Sequence, residues 1–178
     1  MNASKEKIVM DKEEIILALK RIAKEIVENN KGTKDLVLVG ILNRGLPLAE
    51  RLSKLIESSE KAKVPVGALD VSLHRDDILK KGPAIQMKTS DIPFSIDGKI
   101  VVLVDDVIYA GRTIRAAMDG LADYGRASKI QLAALVDRGH REVPIHPDYV
   151  GKKVATTADE DVTVNLAETD GVDKAVIK

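Results

Sequence analysis

Three short runs of this chain are apolar at nearly every position, and that constrains the fold more than any other feature. They are Leu36–Ile41, Ile100–Val104 and Ile130–Val136. A strand with one wet face alternates apolar and polar residues, whereas these demand cover on both faces, as parallel strands do. Val64–Leu73 reads as a fourth strand. Between the strands the period changes to that of a helix. Ile15, Leu19, Ile22, Ala23 and Ile26 form the stripe of a helix that starts at the capping pair Asp11 and Glu14 and ends near Asn29. Asn30-Lys31-Gly32 supplies its C-cap. Leu48, Leu52, Leu55 and Ile56 mark a second helix, and Ile114, Ala117, Met118 and Leu121 a third, closed by Gly125. Such alternation predicts an α/β fold with a mainly parallel central sheet flanked by helices. The 178 residues are expected to form one domain, 1–178.

Charge and composition exclude more than they assign. Basic and acidic residues both number 28, so no global field points to nucleic acid, and an anion site must be local. Without cysteine there are no disulfides, no thiolate chemistry and no Cys-held zinc or iron–sulfur centre. No apolar run has the length of a signal peptide or a membrane span, so the expected location is cytoplasmic, with no membrane partner.

In a parallel sheet, ligands sit at the carboxyl ends of the strands. Asn43-Arg44-Gly45, Asp105-Asp106 and Asp137-Arg138-Gly139-His140-Arg141 all fall there. The middle one opens the most informative segment, Val101 to Thr113. An apolar strand delivers two carboxylates, and a short loop with Ala110 and Gly111 then starts a helix at Arg112-Thr113. Small residues and a helix N-terminus suit a phosphate. Carboxylates beside a phosphate repel it unless they face hydroxyls or a cation, so a ribose 5-phosphate with magnesium fits both halves. The alternative is an Asp-rich turn that merely caps the next helix. No GxxxxGK[ST] or GxGxxG occurs, so Walker-type and ordinary dinucleotide sites lack support.

Val101–Thr113 resembles the phosphoribosyl pyrophosphate (PRPP) signature of the type I phosphoribosyltransferases over its full length. The resemblance implies that family's fold, with a mobile loop and a small hood over the site. It implies that Asp105 and Asp106 are catalytic, hold the ribose, and meet Mg2+ indirectly through PRPP. Val107, Tyr109, Ala110, Gly111, Arg112 and Thr113 would bind the nucleotide, the 5-phosphate lying on Ala110 to Thr113. Asn43, Arg44 and Gly45 would form the pyrophosphate loop, with a non-proline cis peptide expected at Asn43–Arg44. Residues 74–93 would be the mobile catalytic loop, whose Arg75, with Lys80 or Lys81, neutralises the leaving pyrophosphate.

The resemblance extends over nearly the whole chain to the pyrimidine-operon regulators, which couple RNA-binding attenuation to uracil phosphoribosyltransferase activity. Asp70–Asp77, Ser128–Ala133, Val136–Ile145 and Asp148–Lys152 carry it. It implies PRPP, uracil and UMP or UTP as small-molecule partners, with Val136, Asp137, Arg138 and Gly139 over the base. It also implies a leader mRNA of pyrimidine genes, met by Lys20, Arg21, Lys24, His140, Arg141 and Lys152, and a homodimer or homotetramer. The chain departs from the family pattern at Lys20, Lys24, Asn29, Asn43 and His146, and the last departure and Asn29 each remove an arginine. Two alternatives stand beside this reading: a nucleotide-sensing RNA regulator with little turnover, and a phosphoribosyltransferase for another base.

Overall fold

A computed structural model describes residues 6–76 and 89–178. Five strands form the central sheet: β2 (Leu36–Ile41), β3 (Val66–Leu69), β4 (Ile100–Ile108), β5 (Lys129–Asp137) and β6 (Tyr149–Lys153). Their order is β3-β2-β4-β5-β6 and every pairing is parallel. The strand period of two sorts their side chains into two layers. Leu38, Val102, Val104, Ala133 and Leu135 pack against α1 (Lys12–Asn29) and α2 (Gly45–Glu60). Val37, Val39, Val101, Leu103, Leu132 and Ala134 face the layer of α3 (Arg112–Leu121). Apolar residues on both faces therefore mean helices on both faces, as the sequence predicts.

The capping box at the start of α1 is present, with Glu14 N–H donating to Asp11 Oδ1 at 2.8 Å and Asp11 N–H to Glu14 Oε2 at 2.9 Å. Caps of this kind stabilise by about 1 kcal/mol. A second sheet was not foreseen in its pairing. β1 (Lys7–Met10), β8 (Lys174–Ile177) and β7 (Val162–Asn165) form an antiparallel sheet in the order β1-β8-β7. Val162, Val164, Ala175 and Ile177 join the α1–α2 layer of the core, so this small sheet shares that core. A four-residue helix, α4 (Ala167–Asp170), connects β7 to β8.

Two strand boundaries differ from the sequence reading. The strand expected over Val64–Leu73 is only Val66–Leu69, because Asp70 Oδ1 accepts the N–H and hydroxyl of Ser72 and turns the chain into a 3-10 turn at Ser72–His74. β4 runs four residues beyond Val104, since its ladder with β5 continues through Val107 opposite Val136 and Ile108 opposite Asp137. Among the described residues, no helix is long and apolar enough to cross a membrane.

Candidate active site

The extension of β4 puts Asp105 and Asp106 inside the ladder, three and two residues before the strand ends. Asp105 is 7% exposed. Its Oδ1 accepts the N–H of Asp106 at 2.9 Å, and Asp106 Oδ1 accepts that of Val107 at 2.8 Å. Burial, and then the carboxylate of Asp106, push the Asp105 carboxyl well above the usual range. Burial also raises Asp106, opposed by hydrogen bonds from Asp105 and the Val107 N–H and by the charge of Arg44. The pair thus resists holding two negative charges and favours a neighbouring cation.

Past Ile108 the chain makes the loop Tyr109–Gly111 and enters α3. Gly111 has φ 90°, and a Cβ there would meet Val143 Cγ2 at 2.9 Å. The N-cap of α3 is Gly111, which has no side chain to cap the first-turn N–H groups, so these can face an anion. A cavity of about 250 Å³ opens here, bounded by Arg75, Asp105, the Tyr109–Thr113 turn and Glu142. Arg75 Nη1 lies 3.3 Å from Thr113 Oγ1. Arg112 donates to Asp76 and to Glu142, each at 2.6 Å, joining the start of the expected catalytic loop to the segment after β5. Lys80 and Lys81 lie outside the described residues.

A second arm comes from the β2–α2 junction. The cis peptide is Leu42–Asn43, one bond earlier than expected. Leu42 N–H still reaches Leu69 O at 3.0 Å, so the ladder ends at Leu42 and the turn begins directly after it. A Cβ on Gly45 would run into the Val104 carbonyl oxygen, so only glycine lets α2 start flush against β4. That contact brings Arg44 within electrostatic reach of Asp106. Arg44 donates from Nε at 3.1 Å and Nη2 at 2.8 Å to the two oxygens of Asp170 at the end of α4. Sequence reading missed Asp170; 126 positions separate the partners and no local pattern links them.

The third arm follows β5. Val136 is fully buried between β4 and β6. Arg138 N–H donates to Ile108 O at 3.1 Å, and Gly139 N–H to Asp137 Oδ1 at 2.9 Å. Those two amides are already satisfied, which leaves second lone pairs of carbonyls in this segment for a base N–H. The Arg138 side chain is buried, 4.2 Å over the Tyr109 ring, and donates to Asp161 Oδ1 and to the Glu160 carbonyl. His140 meets the same ring edge-on, and its Nε2 lies 2.7 Å from Thr156 O. Arg141 binds Ile145 O at 2.7 Å, Tyr109 O at 2.9 Å and Asp137 Oδ2 at 2.8 Å.

The expected RNA contacts divide into two groups. Arg21 donates to the carbonyls of Val150 and Gly151, and Lys152 to Val9 O and Glu14. These two, with His140 and Arg141, are engaged in holding the fold. Lys20 and Lys24 stand exposed on α1, Lys24 at 3.7 Å from Glu28. Asn29, exposed at the end of α1, donates to Tyr149 Oη at 2.9 Å.

Comparison with known proteins decides among the chemistries that such a mouth permits. The phosphoribosyl transferase domain model matches residues 7–168. A bifunctional protein PyrR from Chloroflexus aurantiacus is 55% identical over 172 residues, covering 97% of this chain and 94% of the relative. Another, from a Thermoanaerobacter species, is 58% identical over 169 residues, covering 95% of each.

The chain belongs to the PyrR family of phosphoribosyltransferases.

Solved structures agree on the PyrR chain's architecture. A hypoxanthine-guanine phosphoribosyltransferase from Bacillus anthracis superposes with a TM-score of 0.73 at 21% identity, covering 97% of both chains. A hypoxanthine phosphoribosyltransferase from Trypanosoma cruzi gives 0.72 at 21% identity, covering 96% of this chain and 95% of its own. The phosphoribosyltransferase fold, its parallel sheet flanked by helices, is thereby shown, while identities this low say nothing of the base. Within the PyrR fold the Asp105–Asp106 strand, the uncapped start of α3 and the Arg44 junction converge on one mouth.

Proposed function

We propose that the chain transfers ribose 5-phosphate from PRPP to uracil, giving UMP and pyrophosphate, and that it also binds leader RNA of pyrimidine genes. One observation carries the enzymatic half: a carboxylate pair, Asp105 buried and Asp106 half-buried, lies ahead of a helix whose N-cap is a glycine, with Arg75 against Thr113. The 5-phosphate is held by the N–H groups of Ala110 to Thr113 and the Thr113 hydroxyl. Asp105 and Asp106 receive the ribose hydroxyls and offset the positive charge that develops on the sugar. Uracil N1 bonds to the anomeric carbon as the carbon–oxygen bond breaks; pyrophosphate departs with the electron pair, and the N1 proton passes to it or to water. Arg44 and Arg75 flank that departure. The carbonyls of Asp137 to Gly139 receive the uracil N3–H.

The donor set fits a magnesium ion carried by the substrate. Among the described residues no three acidic or imidazole side chains gather as a metal cage. Magnesium commonly takes one or two carboxylates and completes its shell with water and phosphate oxygens. Asp105 and Asp106 are the residues that would hold it, together with the substrate, and when bound it would neutralise pyrophosphate charge.

The test is pyrophosphate release from PRPP with uracil, orotate, hypoxanthine or guanine offered singly. Release with uracil alone is expected; release with a purine base instead would overturn the assignment. For the RNA half, the exposed pair Lys20 and Lys24 is the informative target. Changing both to glutamine is expected to weaken leader-RNA binding and flatten its salt dependence by one to two counterions, roughly 0.9 per lost phosphate contact in a duplex. Unchanged affinity would remove α1 from the RNA surface.

A further inference from the structure

We infer that Asp170, far from the signature in sequence, is a positioning residue that holds Arg44 ready for the pyrophosphate group; this rests on the phosphoribosyl reading above. Three observations carry it. The Asp170 carboxylate is itself immobilised, since Oδ2 accepts the Leu166 N–H at 2.9 Å and the Thr169 hydroxyl at 2.7 Å. The Arg44 fork takes both Asp170 oxygens through Nε and Nη2, a two-point contact that fixes the guanidinium plane. It consumes two of five N–H donors and leaves both on Nη1 and one on Nη2 for an incoming anion. The backbone of Arg44 is fixed as well, because Gly45 seats α2 directly on Val104.

The arrangement restricts one of the most rotamer-rich side chains before substrate arrives. Ordering a free arginine costs side-chain entropy, and a preformed fork removes much of that cost from binding. The C-terminal turn is in turn anchored two helical turns along α2, where Arg51 grips Glu168 and Asp173. Asp170 touches neither substrate nor metal in this scheme. It acts through Arg44 alone, on the pyrophosphate half of the reaction and not on the base.

The experiment is a double-mutant cycle in the full chain, with Asp170→Asn, Arg44→Gln and both together. Titration calorimetry with magnesium pyrophosphate is read beside KM for PRPP and for uracil. Asp170→Asn is expected to weaken pyrophosphate binding and raise KM for PRPP about tenfold, in line with one lost charge-assisted fork. KM for uracil stays within about twofold. In the Arg44→Gln background the Asp170 change adds nothing. Asp170→Glu keeps the charge and restores part of the loss, which separates positioning from a general loss of fold if the asparagine variant melts early. Pyrophosphate affinity unchanged in Asp170→Asn, or a loss that persists without Arg44, overturns the inference alone. Failure of the wild type to bind either PRPP or magnesium pyrophosphate overturns the phosphoribosyl reading, and the inference with it.

Discussion

Arg141 Nη2 stands 2.8 Å from Asp137 Oδ2, and the two side chains are only 12% and 13% exposed. The same guanidinium holds the Tyr109 carbonyl, so one side chain clamps the end of β5 to the Tyr109–Gly111 loop. Replacing Arg141 with Ala leaves the Asp137 carboxylate buried without its cation, which costs about 3–5 kcal/mol. Urea denaturation is expected to show that loss, and turnover with uracil to fall more than about tenfold, roughly the effect of a loop misplaced by a fraction of an ångström. Any loss of RNA binding in this variant would follow from the collapsed turn. A stable, fully active Arg141→Ala would instead show that the residue serves the surface.

Asp105 predicts a conflict between stability and activity. Its carboxyl is raised by burial and then by Asp106, so the folded state favours the neutral form. Below the unfolded value of 3.8 both states are protonated and the group costs nothing. As pH climbs from there through the folded value, the unfolded chain loses its proton first and stability is lost. Asp105→Asn keeps the shape and removes the charge. It is expected to gain about 1 kcal/mol at neutral pH, to flatten that part of the stability–pH curve, and to lose nearly all turnover. A variant less stable than the wild type would show that the carboxylate is balanced by Arg75 or Arg44 more fully than burial allows.

How much of this was legible in the sequence depends on how far apart the partners lie. The α/β architecture, α1 with its capping box, and the Asp-Asp-to-Gly-Arg-Thr segment follow from period and spacing, which are local. Tyr109 and Arg138 stand out in the sequence as site residues, yet their stacking depends on β4 and β5 being neighbours. Asp170 and Glu142 left no local sign, because each acts on an arginine brought near only by the fold. Strand ends were misjudged where polar residues continue a ladder: backbone pairing does not stop at Asp105 merely because its side chain is charged. For Arg141 and Arg21 the sequence shows a basic residue but not the distant backbone carbonyl that each one grips.

Gly111 tests the phosphate loop directly. Its φ of 90° is disfavoured for any L side chain by about 1–2 kcal/mol, and its Cβ position is 2.9 Å from Val143 Cγ2. In Gly111→Ala the loop must shift either away from Val143 or into the phosphate position. The expected result is a rise in KM for PRPP of at least about tenfold, with α3 intact by circular dichroism. Normal KM in a folded variant would remove the loop from the phosphate site.

Arg51 decides whether the small sheet opens as a unit. Its guanidinium bonds Glu168 at 2.7 and 2.5 Å and Asp173 at 3.0 and 2.8 Å, and the Asp173 side chain is 7% exposed. Arg51 and Arg44 are thus two clamps on one helix, holding the turn between β7 and β8. Arg51→Met removes one clamp and strands a buried carboxylate, a change worth about 3–5 kcal/mol where no other cation substitutes. Because Val162, Val164, Ala175 and Ile177 share the α1–α2 core, that loss is felt first where the small sheet meets α2. Hydrogen exchange is expected to quicken at β7 and β8 well before β4 and β5. Equal acceleration across both sheets would mean that the small sheet and the central sheet unfold together, and that the clamps secure the whole domain and not the small sheet alone.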